Sequence, residues 1–421
     1  MKVMVVGGGG REHAIIKKLK ENKSITSLYA LPGTGGIAAD AECVAVDAKN
    51  IDGLVAFAKE KKIDFAVVAP DDPLVLGAVD ALEAAGVPCF GPDQRAAVIE
   101  GSKVFSKNLM KKYGIPTAAY EVFTDVEAAL QYMQTAPVPA VIKADGLALG
   151  KGVIIAMTRQ EALDGIRRIM SDRIFGDSGA QIVIEEYLTG PEVSVLAFTD
   201  GHVVLPMVSS MDHKRAQDGD RGLNTGGMGT VAPNPYYTEQ VADVCMRTIF
   251  EPTIAAMREE GRPFKGCLYF GLMLTADGPK VIEYNCRFGD PEAQVVLPLL
   301  QSDLFEIMQS VRNGTLRKEQ VVFSQGAACC VIMAAEGYPV AYEKGRAIHI
   351  PEEIVPYVCV AGAARQAGTL VSAGGRVLGV TAVADQLQDA VSLAYERVGQ
   401  IEFDGSFYRK DIGAKALAAG Q

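Results

Sequence analysis

The stretch Val281-Ile282-Glu283-Tyr284-Asn285-Cys286-Arg287-Phe288-Gly289-Asp290-Pro291-Glu292 constrains this chain more than any other. Its apolar start predicts a buried strand. Residues two apart on a strand share a face, so Glu283 and Asn285 point the same way, and Arg287 follows them if the strand continues. A carboxylate and an amide oxygen are hard ligands that can hold Mg²⁺ while nucleotide phosphates complete its shell. A metal, a cation and phosphate in one place imply phosphoryl chemistry. The same pattern also describes a strand end whose polar side chains face water, and the motif alone does not choose between the two.

A chain of 421 residues predicts two to four domains. The net charge of −10 excludes a protein built to coat nucleic acid, which needs a basic surface. It leaves room for a phosphate-bearing small substrate, which needs only local donors. The cysteines at 43, 89, 245, 267, 286, 329, 330 and 359 form no Cys-x-x-Cys pair and lie mostly in apolar surroundings, which predicts reduced, buried thiols in a cytoplasmic protein. The apolar segment at the amino terminus is too short for a signal peptide, and the longest apolar run, 327–335, is too short to span a bilayer.

Residues 1 to about 100 alternate short apolar segments (2–6, 27–31, 65–69, 88–90) with helical patterns (13–20, 51–61, 74–85), which predicts a doubly wound parallel sheet. Beyond it the patterns predict helices at 103–113, 161–170 and 242–259 and strands at 138–144 and 181–187. Hairpins are expected at 193–207 and 268–284. Residues 212–230 read as a long polar loop without structure, and 313–319 as a linker. From 327 onward strands dominate, with one helix at 387–399, which predicts a small α+β domain.

Gly7-Gly8-Gly9-Gly10-Arg11-Glu12 joins the first strand to a helix, where a doubly wound sheet binds phosphate on free N–H groups. The dinucleotide fingerprint fails there, because Glu12 stands where its last glycine belongs and no acid follows the second strand. The reading is a phosphate or phosphosugar site with Arg11 nearby, set against a tight turn that needs only glycines. Lys143 to Val153 places a lysine on a strand, then a glycine-rich flap over Gly146, Gly150 and Gly152, then Lys151. Flexible backbone and mobile charge can close over a triphosphate, although an exposed hairpin has the same composition. Glu185, Glu186, Tyr187 and Leu188 end a buried strand where backbone groups could meet an adenine edge, with Glu192 in reach of ribose hydroxyls; solvated acids capping a strand are the plainer reading. In Asp212-His213-Lys214-Arg215, His213 is either a general base or, more simply, a solvated loop histidine.

Taken in order, these stretches resemble the glycinamide ribonucleotide synthetase family of the ATP-grasp superfamily. Gly-Gly-Arg-Glu-His at 9–13, Gly-Ser-Lys at 101–103, Lys-Ala-Asp-Gly at 143–146 and Asp-His-Lys-Arg at 212–215 carry the resemblance. Asn-Thr-Gly-Gly-Met-Gly at 224–229 and Asn-Cys-Arg-Phe-Gly-Asp-Pro-Glu at 285–292 are its most specific parts. Gly-Gly-Arg-Val-Leu at 374–378 and Arg-Lys-Asp-Ile-Gly at 409–413 extend it to the carboxy terminus. The chain departs from the family pattern at Asp71-Asp72, at Thr34 and at Leu149.

The resemblance implies an α/β and α+β multidomain fold: an amino-terminal doubly wound sheet at 1–101, a central ATP-grasp domain at 102–312 with a lid at about 120–190, and a carboxy-terminal α+β domain at 325–421. It implies ATP-dependent joining of glycine to 5-phosphoribosylamine through a glycyl phosphate, an early step of purine synthesis. Glu283 and Asn285 would hold Mg²⁺ or Mn²⁺. Lys103, Lys143 and Lys151 would meet ATP phosphates, under the Gly146–Gly152 flap. Glu185, Glu186, Tyr187 and Leu188 would flank the adenine, and Glu192 the ribose. Arg287 would take glycine's carboxylate or the transferring phosphoryl group, with Asp212 and Lys214 near the acceptor. Gly10, Arg11, Asp71 and Asp290 would meet phosphoribosylamine. Small molecules are the expected partners, with neither nucleic acid nor membrane, and the oligomeric state stays open with a monomer favoured. The alternatives are another ATP-grasp ligase joining a carboxylate to an amine, or a nucleotide-sensing protein that uses the first glycine loop without ligation.

Overall fold

The computed structural model describes residues 1–147 and 152–420. Five parallel strands lie side by side in the order Glu42–Cys43, Ser27–Pro32, Lys2–Gly7 (β1), Phe65–Val68 and Cys89–Phe90. Val3 to Val6 of β1 are wholly buried, as expected for a central parallel strand covered on both faces. The chain builds outward from β1 to one edge and returns to build the other, so a crevice opens at the carboxyl end of β1, where the helix Gly10–Leu19 (α1) begins. The helix expected over 74–85 is two helices, Asp71–Val75 and Ala78–Ala84, because Gly77 between them takes a left-handed φ of 86°.

Two antiparallel four-stranded sheets make the middle of the molecule. One orders Tyr120–Phe123, Ile182–Glu186, Ala140–Ala144 and Val153–Ala156, and packs a core of its own from residues such as Met133, Ile142, Ile166 and Ile184. The other orders Val204–Pro206, Glu192–Asp200, Lys265–Thr275 and Gly278–Asn285. This second sheet shares a core with β1 and the carboxy-terminal strands, visible where the Phe198 ring meets Phe90 at 6.4 Å and Phe288 at 6.0 Å.

The segment 212–230, expected to be unstructured, is ordered. It holds a hairpin of Arg215–Gln217 with Arg221–Asn224. On either side of that hairpin, Met211–Asp212 and Gly229–Ala232 join the carboxy-terminal sheet, whose order continues through Ala327–Ala335, Arg376–Ala384 and Val358–Val360. The carboxy-terminal sheet therefore takes two strands from within the central region. Its inner strand, Ala327–Ala335, reads as a continuous apolar run because it is buried on both faces.

Two histidines fasten these parts together. His13 on α1 accepts the Val360 N–H at Nδ1 over 2.8 Å, so its proton sits on Nε2 and goes to Asp40 at 2.9 Å. His213 is the reverse tautomer: Nδ1 donates to Gly229 O over 3.1 Å, and Nε2 accepts from Gly413 N over 3.2 Å. The expectation of a solvated loop histidine at 213 is thus corrected. The residue is buried, because strand pairing on both sides of it pulls it under the carboxy-terminal sheet. Burial pushes both imidazoles below their ordinary pKa, His213 to about 4 from 6.5.

Because the folded value of His213 is depressed, the unfolded chain takes up the extra proton first as pH falls. The stability gained by keeping His213 neutral is complete above pH 6.5 and is lost on descending towards pH 4, by roughly 3 kcal/mol in all. Unfolding midpoints measured across this window should fall less steeply for His213→Gln than for the parent protein. Parallel curves would show that His213 is not the group responsible.

Candidate active site

The strand Gly278–Asn285 carries a β-bulge. Its register with Lys265–Thr275 pairs Leu272 with Val281 and Gly271 with Glu283, which leaves Ile282 unopposed. Gly271 makes room for this, since a Cβ there would lie 3.0 Å from Glu283 Cγ. The bulged Ile282 carbonyl accepts a hydrogen bond from Lys143 Nζ at 2.9 Å. The Val281 carbonyl accepts from Thr117 Oγ1 at 2.7 Å. Lys143 also pairs with Glu185 at 2.9 Å, and Lys107 pairs with the other oxygen of Glu185 at 2.9 Å while donating to Thr117 at 2.8 Å. One buried network thus ties the Ala140–Ala144 and Ile182–Glu186 strands to the strand that carries Glu283.

Glu185, expected to flank an adenine largely through its backbone, places its side chain between two lysines. Strand alternation turns its side chain inward, where the two ammoniums compensate its charge. Glu186 points outward and accepts from Ala119 N at 3.0 Å and Lys280 at 3.2 Å. Tyr187 is exposed, Leu188 half-buried, and the exposed Glu192 pairs with Lys214 at 3.1 Å. Lys103 donates to Gly146 O over 2.8 Å. Ser102 caps the helix Lys103–Tyr113 and donates to Asp145 over 3.0 Å, so Gly-Ser-Lys and Lys-Ala-Asp-Gly interlock. Gly152 is buried; Gly150 and Lys151 lie outside the described residues.

At the strand's end the charges crowd together. Arg287 reaches Glu100 at 2.9 Å, Asn285 Oδ1 at 3.4 Å and Asp71 at 4.0 Å. Glu100 also accepts the Cys286 N–H at 2.7 Å, which fixes the arginine. Arg287 Nε is buried and has no partner among the described residues. The Asp212 Oδ1 atom is buried without a partner in the same sense. Gly227 lies against it: a Cβ there would approach Asp212 Oδ1 to 2.6 Å. Burial and the nearby Glu292 carboxylate push the Asp212 carboxyl well above the usual range, and burial also raises Glu292. Lys214 is pushed up as well, which for an ammonium means that Glu192 holds it charged against its burial. Glu292 in turn accepts from Ser194 at 3.3 Å, and Ser194 shares a hydrogen bond with Tyr269 at 2.8 Å.

The donor set fits a divalent cation completed by phosphates. Glu283 and Asn285 stand on one face of the strand, and both are partly exposed. Burial works to raise the Glu283 carboxyl, but the ammoniums of Lys214, Lys143 and Lys103 outweigh it and hold it ionised. Among the described residues no cluster of three His, Cys, Asp or Glu could hold a metal on its own. Two hard oxygens with open positions suit Mg²⁺ or Mn²⁺, which dehydrate reluctantly and take phosphate oxygens readily.

The α1 amino terminus differs from the sequence expectation. Two of the N–H groups there already face carboxylates, Gly9 N that of Glu12 and Arg11 N that of Asp290. The Arg11 side chain turns to Glu12 at 2.7 Å and to Phe288 O at 3.2 Å. Beside this end lies a cavity of about 540 Å³, lined among others by Gly8, Gly9, Thr34, Asp290, Tyr338 and Arg376. Gly10 abuts Gln294 and Asp290 rather than the cavity.

Sequence reading missed Lys107, Glu100, Glu292 and Arg376. Lys107 was within reach, since it stands four residues after Lys103, on the same helix face. Glu100, Glu292 and Arg376 depend on contacts between distant parts of the chain, which no local pattern announces.

Comparisons with known proteins agree with this geometry. Residues 1–100, 101–293 and 328–415 match the family models described as the N domain, the ATP-grasp (A) domain and the C domain of phosphoribosylglycinamide synthetase. The chain is 47% identical to the phosphoribosylamine–glycine ligase of Halalkalibacterium halodurans, over 99% of its own length and 98% of the relative's. It is 47% identical to the trifunctional purine biosynthetic protein adenosine-3 of Gallus gallus, over 99% of this chain and 42% of that protein. The crystal structure of the phosphoribosylamine–glycine ligase from Thermotoga maritima matches with a TM-score of 0.86 at 33% identity, covering 98% of this chain and 100% of that one. A biotin carboxylase from Campylobacter jejuni shares the fold, with a TM-score of 0.76 at 15% identity, covering 97% of this chain and 92% of that one.

The Lys107–Glu185–Lys143 network should be a stability element as well as part of the site. Removing the shared member of a buried ion-pair network strands its partners, so Glu185→Gln, which leaves the Lys107 and Lys143 ammoniums without a carboxylate, should lower the unfolding free energy by about 3–5 kcal/mol. Denaturant titration measures this directly. A loss within the range of a surface substitution would show that the network does not stabilise the folded state.

Proposed function

This chain belongs to the phosphoribosylglycinamide synthetase family, and on that premise we propose how its residues carry out the family's reaction. The enzyme joins glycine to phosphoribosylamine in an ATP-dependent ligation that forms glycinamide ribonucleotide, a step of purine biosynthesis. Its parts fall into an amino-terminal unit at 1–101, a central unit at 102–312 and a carboxy-terminal unit at 325–421, the last completed by the two strands it takes from the central region.

A carboxylate is a poor electrophile. Transfer of the ATP γ-phosphoryl group to a glycine carboxylate oxygen gives glycyl phosphate and ADP. The amine of phosphoribosylamine then attacks the acyl carbon, the C–O bond to phosphate breaks, and the amine gives up a proton as the amide forms. Such a sequence needs positioning and charge neutralisation and no protein nucleophile. Lys103, Lys143 and Lys151 neutralise the ATP phosphates, beneath the Gly146, Gly150 and Gly152 flap. Glu186, Tyr187 and Leu188 border the adenine and Glu192 the ribose, once Lys214 releases it. Glu185 acts behind them by orienting Lys143. Glu283 and Asn285 would hold Mg²⁺ or Mn²⁺, which when bound supplies charge neutralisation between the phosphates. The lid sheet with its own core supports closure over ATP as one body, which would keep water from the acyl phosphate.

The observation that carries the glycine site is the pair of buried, unpartnered atoms of opposite character, Arg287 Nε and Asp212 Oδ1. Six buried side-chain atoms among the described residues lack a partner, and these two both lie beside the Glu292 carboxylate, where a polar ligand would satisfy them. Zwitterionic glycine matches them, with its carboxylate towards Arg287 and its ammonium towards Asp212 and Glu292. Asp71 and Glu100 keep Arg287 in place. Lys214 neutralises the developing charge near the acceptor. Phosphoribosylamine occupies the cavity between Gly8 and Arg376, against Asp290, while Gly10 and Arg11 lie beside Asp290 and outside the lining. The eight free thiols suit a reducing compartment, the cytoplasm.

ADP release should require glycine and phosphoribosylamine together. Glu283→Ala should cut turnover by about 10²–10³ while leaving the fold intact, and near-normal activity at saturating Mg²⁺ would remove Glu283 from the metal site. Asp212→Asn should raise the KM for glycine about tenfold or more with little change in that for ATP. If the ATP constant moved instead, the orientation assigned to glycine would be wrong.

A further inference from the structure

The motif Gly374-Gly375-Arg376 has no role in the ligation steps above, yet its geometry is closely specified. Gly374 packs on Gly362, where a Cβ would meet the Gly362 Cα at 2.9 Å. Gly375 lies under the Tyr338 ring, where a Cβ would come within 2.2 Å. The two glycines let the strand start Arg376–Ala384 press against its neighbours and send the arginine across to the central region. There Nη1 donates to Gly226 O at 2.8 Å, Gly227 O at 3.3 Å and Asp290 O at 2.7 Å. Gly226 is also required, because a Cβ would stand 2.9 Å from the guanidinium carbon.

Three carbonyls thus hold one end of the guanidinium. Nη2 has only a long contact to Asp290 Oδ2, at 3.3 Å, and Nε–H lies on the same edge as Nη2. That edge is the planar fork that recognises phosphate or carboxylate. The side chain keeps 20% of its surface exposed, and it lines the 540 Å³ cavity. Among the described residues lining that cavity, Arg376 is the one cation and Asp290 the one anion. Arg11, the cation that sequence reading placed on the phosphate, does not line it and is paired with Glu12. At the α1 amino terminus, the other anion site that sequence reading favoured, the Gly9 and Arg11 N–H groups face the Glu12 and Asp290 carboxylates.

We propose that Arg376, supplied by the carboxy-terminal sheet, anchors the 5′-phosphate of phosphoribosylamine, with Arg11 outside the lining. This rests on the reading that the cavity receives phosphoribosylamine. The carboxy-terminal domain then contributes a substrate contact, and the same guanidinium fixes the Gly226–Gly227 loop that covers Asp212. Phosphate binding and the order of the acceptor loop are joined through one side chain.

The test measures KM values for phosphoribosylamine, glycine and ATP, together with competitive inhibition by ribose 5-phosphate and by ribose. Arg376→Gln should raise the KM for phosphoribosylamine at least about 30-fold. It should also abolish the preference for ribose 5-phosphate over ribose, and leave the KM for ATP within about twofold. Arg11→Gln should leave the phosphate preference intact. Arg376→Gln with an unchanged preference, or Arg11→Gln abolishing it, would overturn the proposal. If Arg376→Gln also loses ATP binding, Arg376→Lys decides: it keeps the charge without the fork, and a KM for phosphoribosylamine that moves no more than those for ATP and glycine overturns the assignment. Thr34→Trp separates the two levels. If filling the cavity leaves the KM for phosphoribosylamine unchanged, the cavity reading itself is wrong, whereas a raised KM there with an insensitive Arg376→Gln removes only the anchor.

Discussion

The site depends on the bulge at Ile282. One extra residue in the strand Gly278–Asn285 turns a carbonyl outward to Lys143 and sets Glu283 opposite Gly271. From there Lys143 leads to Glu185, Glu185 to Lys107, and Lys107 to Thr117, which returns to the same strand at Val281. The ring closes on itself, with one carboxylate shared by two ammoniums. Bulges re-aim side chains near active sites, and here the bulge also supplies the acceptor that holds a phosphate-binding lysine in position. Glu185 and Ile282 O together set the orientation of Lys143, the lysine proposed for the ATP phosphates.

A second constraint operates where the three parts of the chain meet. His13 and His213 are both neutral, in opposite tautomers, and each bonds a backbone group of the carboxy-terminal region. Arg376 crosses the same junction to the Gly226–Gly227 and Asp290 carbonyls. The 540 Å³ cavity is therefore walled by the first glycine loop, the Asp290 turn and the carboxy-terminal sheet together, and no one of them makes it alone.

Much of this was legible in the sequence, and the parts that were not share a physical reason. Apolar periodicity located β1, the helix Ile51–Lys61 and the helix Lys103–Tyr113 because their signals are local. The Glu-x-Asn pair and the lysine of Lys-Ala-Asp-Gly were readable because strand alternation fixes which face each side chain takes. Residues 212–230 looked like a bare loop because their strands are two to four residues long, and the one that joins them to the carboxy-terminal sheet, Gly229–Ala232, pairs with residues about a hundred positions away, as Thr230 does with Cys330. His213 looked solvated for the same reason. At the first glycine loop, free N–H groups at a helix start are a local inference, and the Asp290 carboxylate that faces one of them comes from the far side of the chain, where no local pattern shows it.

The central claim is that glycine's carboxylate is activated by phosphoryl transfer beside Glu283 and Asn285, with Arg287 and Asp212 holding the amino acid. The most direct measurement follows oxygen-18 from doubly labelled glycine carboxylate through one turnover with ATP and phosphoribosylamine. Attack of a carboxylate oxygen on the γ-phosphorus, followed by amine displacement, sends one labelled oxygen into inorganic phosphate and leaves the other in the amide. Unlabelled phosphate, with ligation proceeding, would contradict the account, because the oxygen lost from glycine would then have left by a route that does not pass through an acyl phosphate.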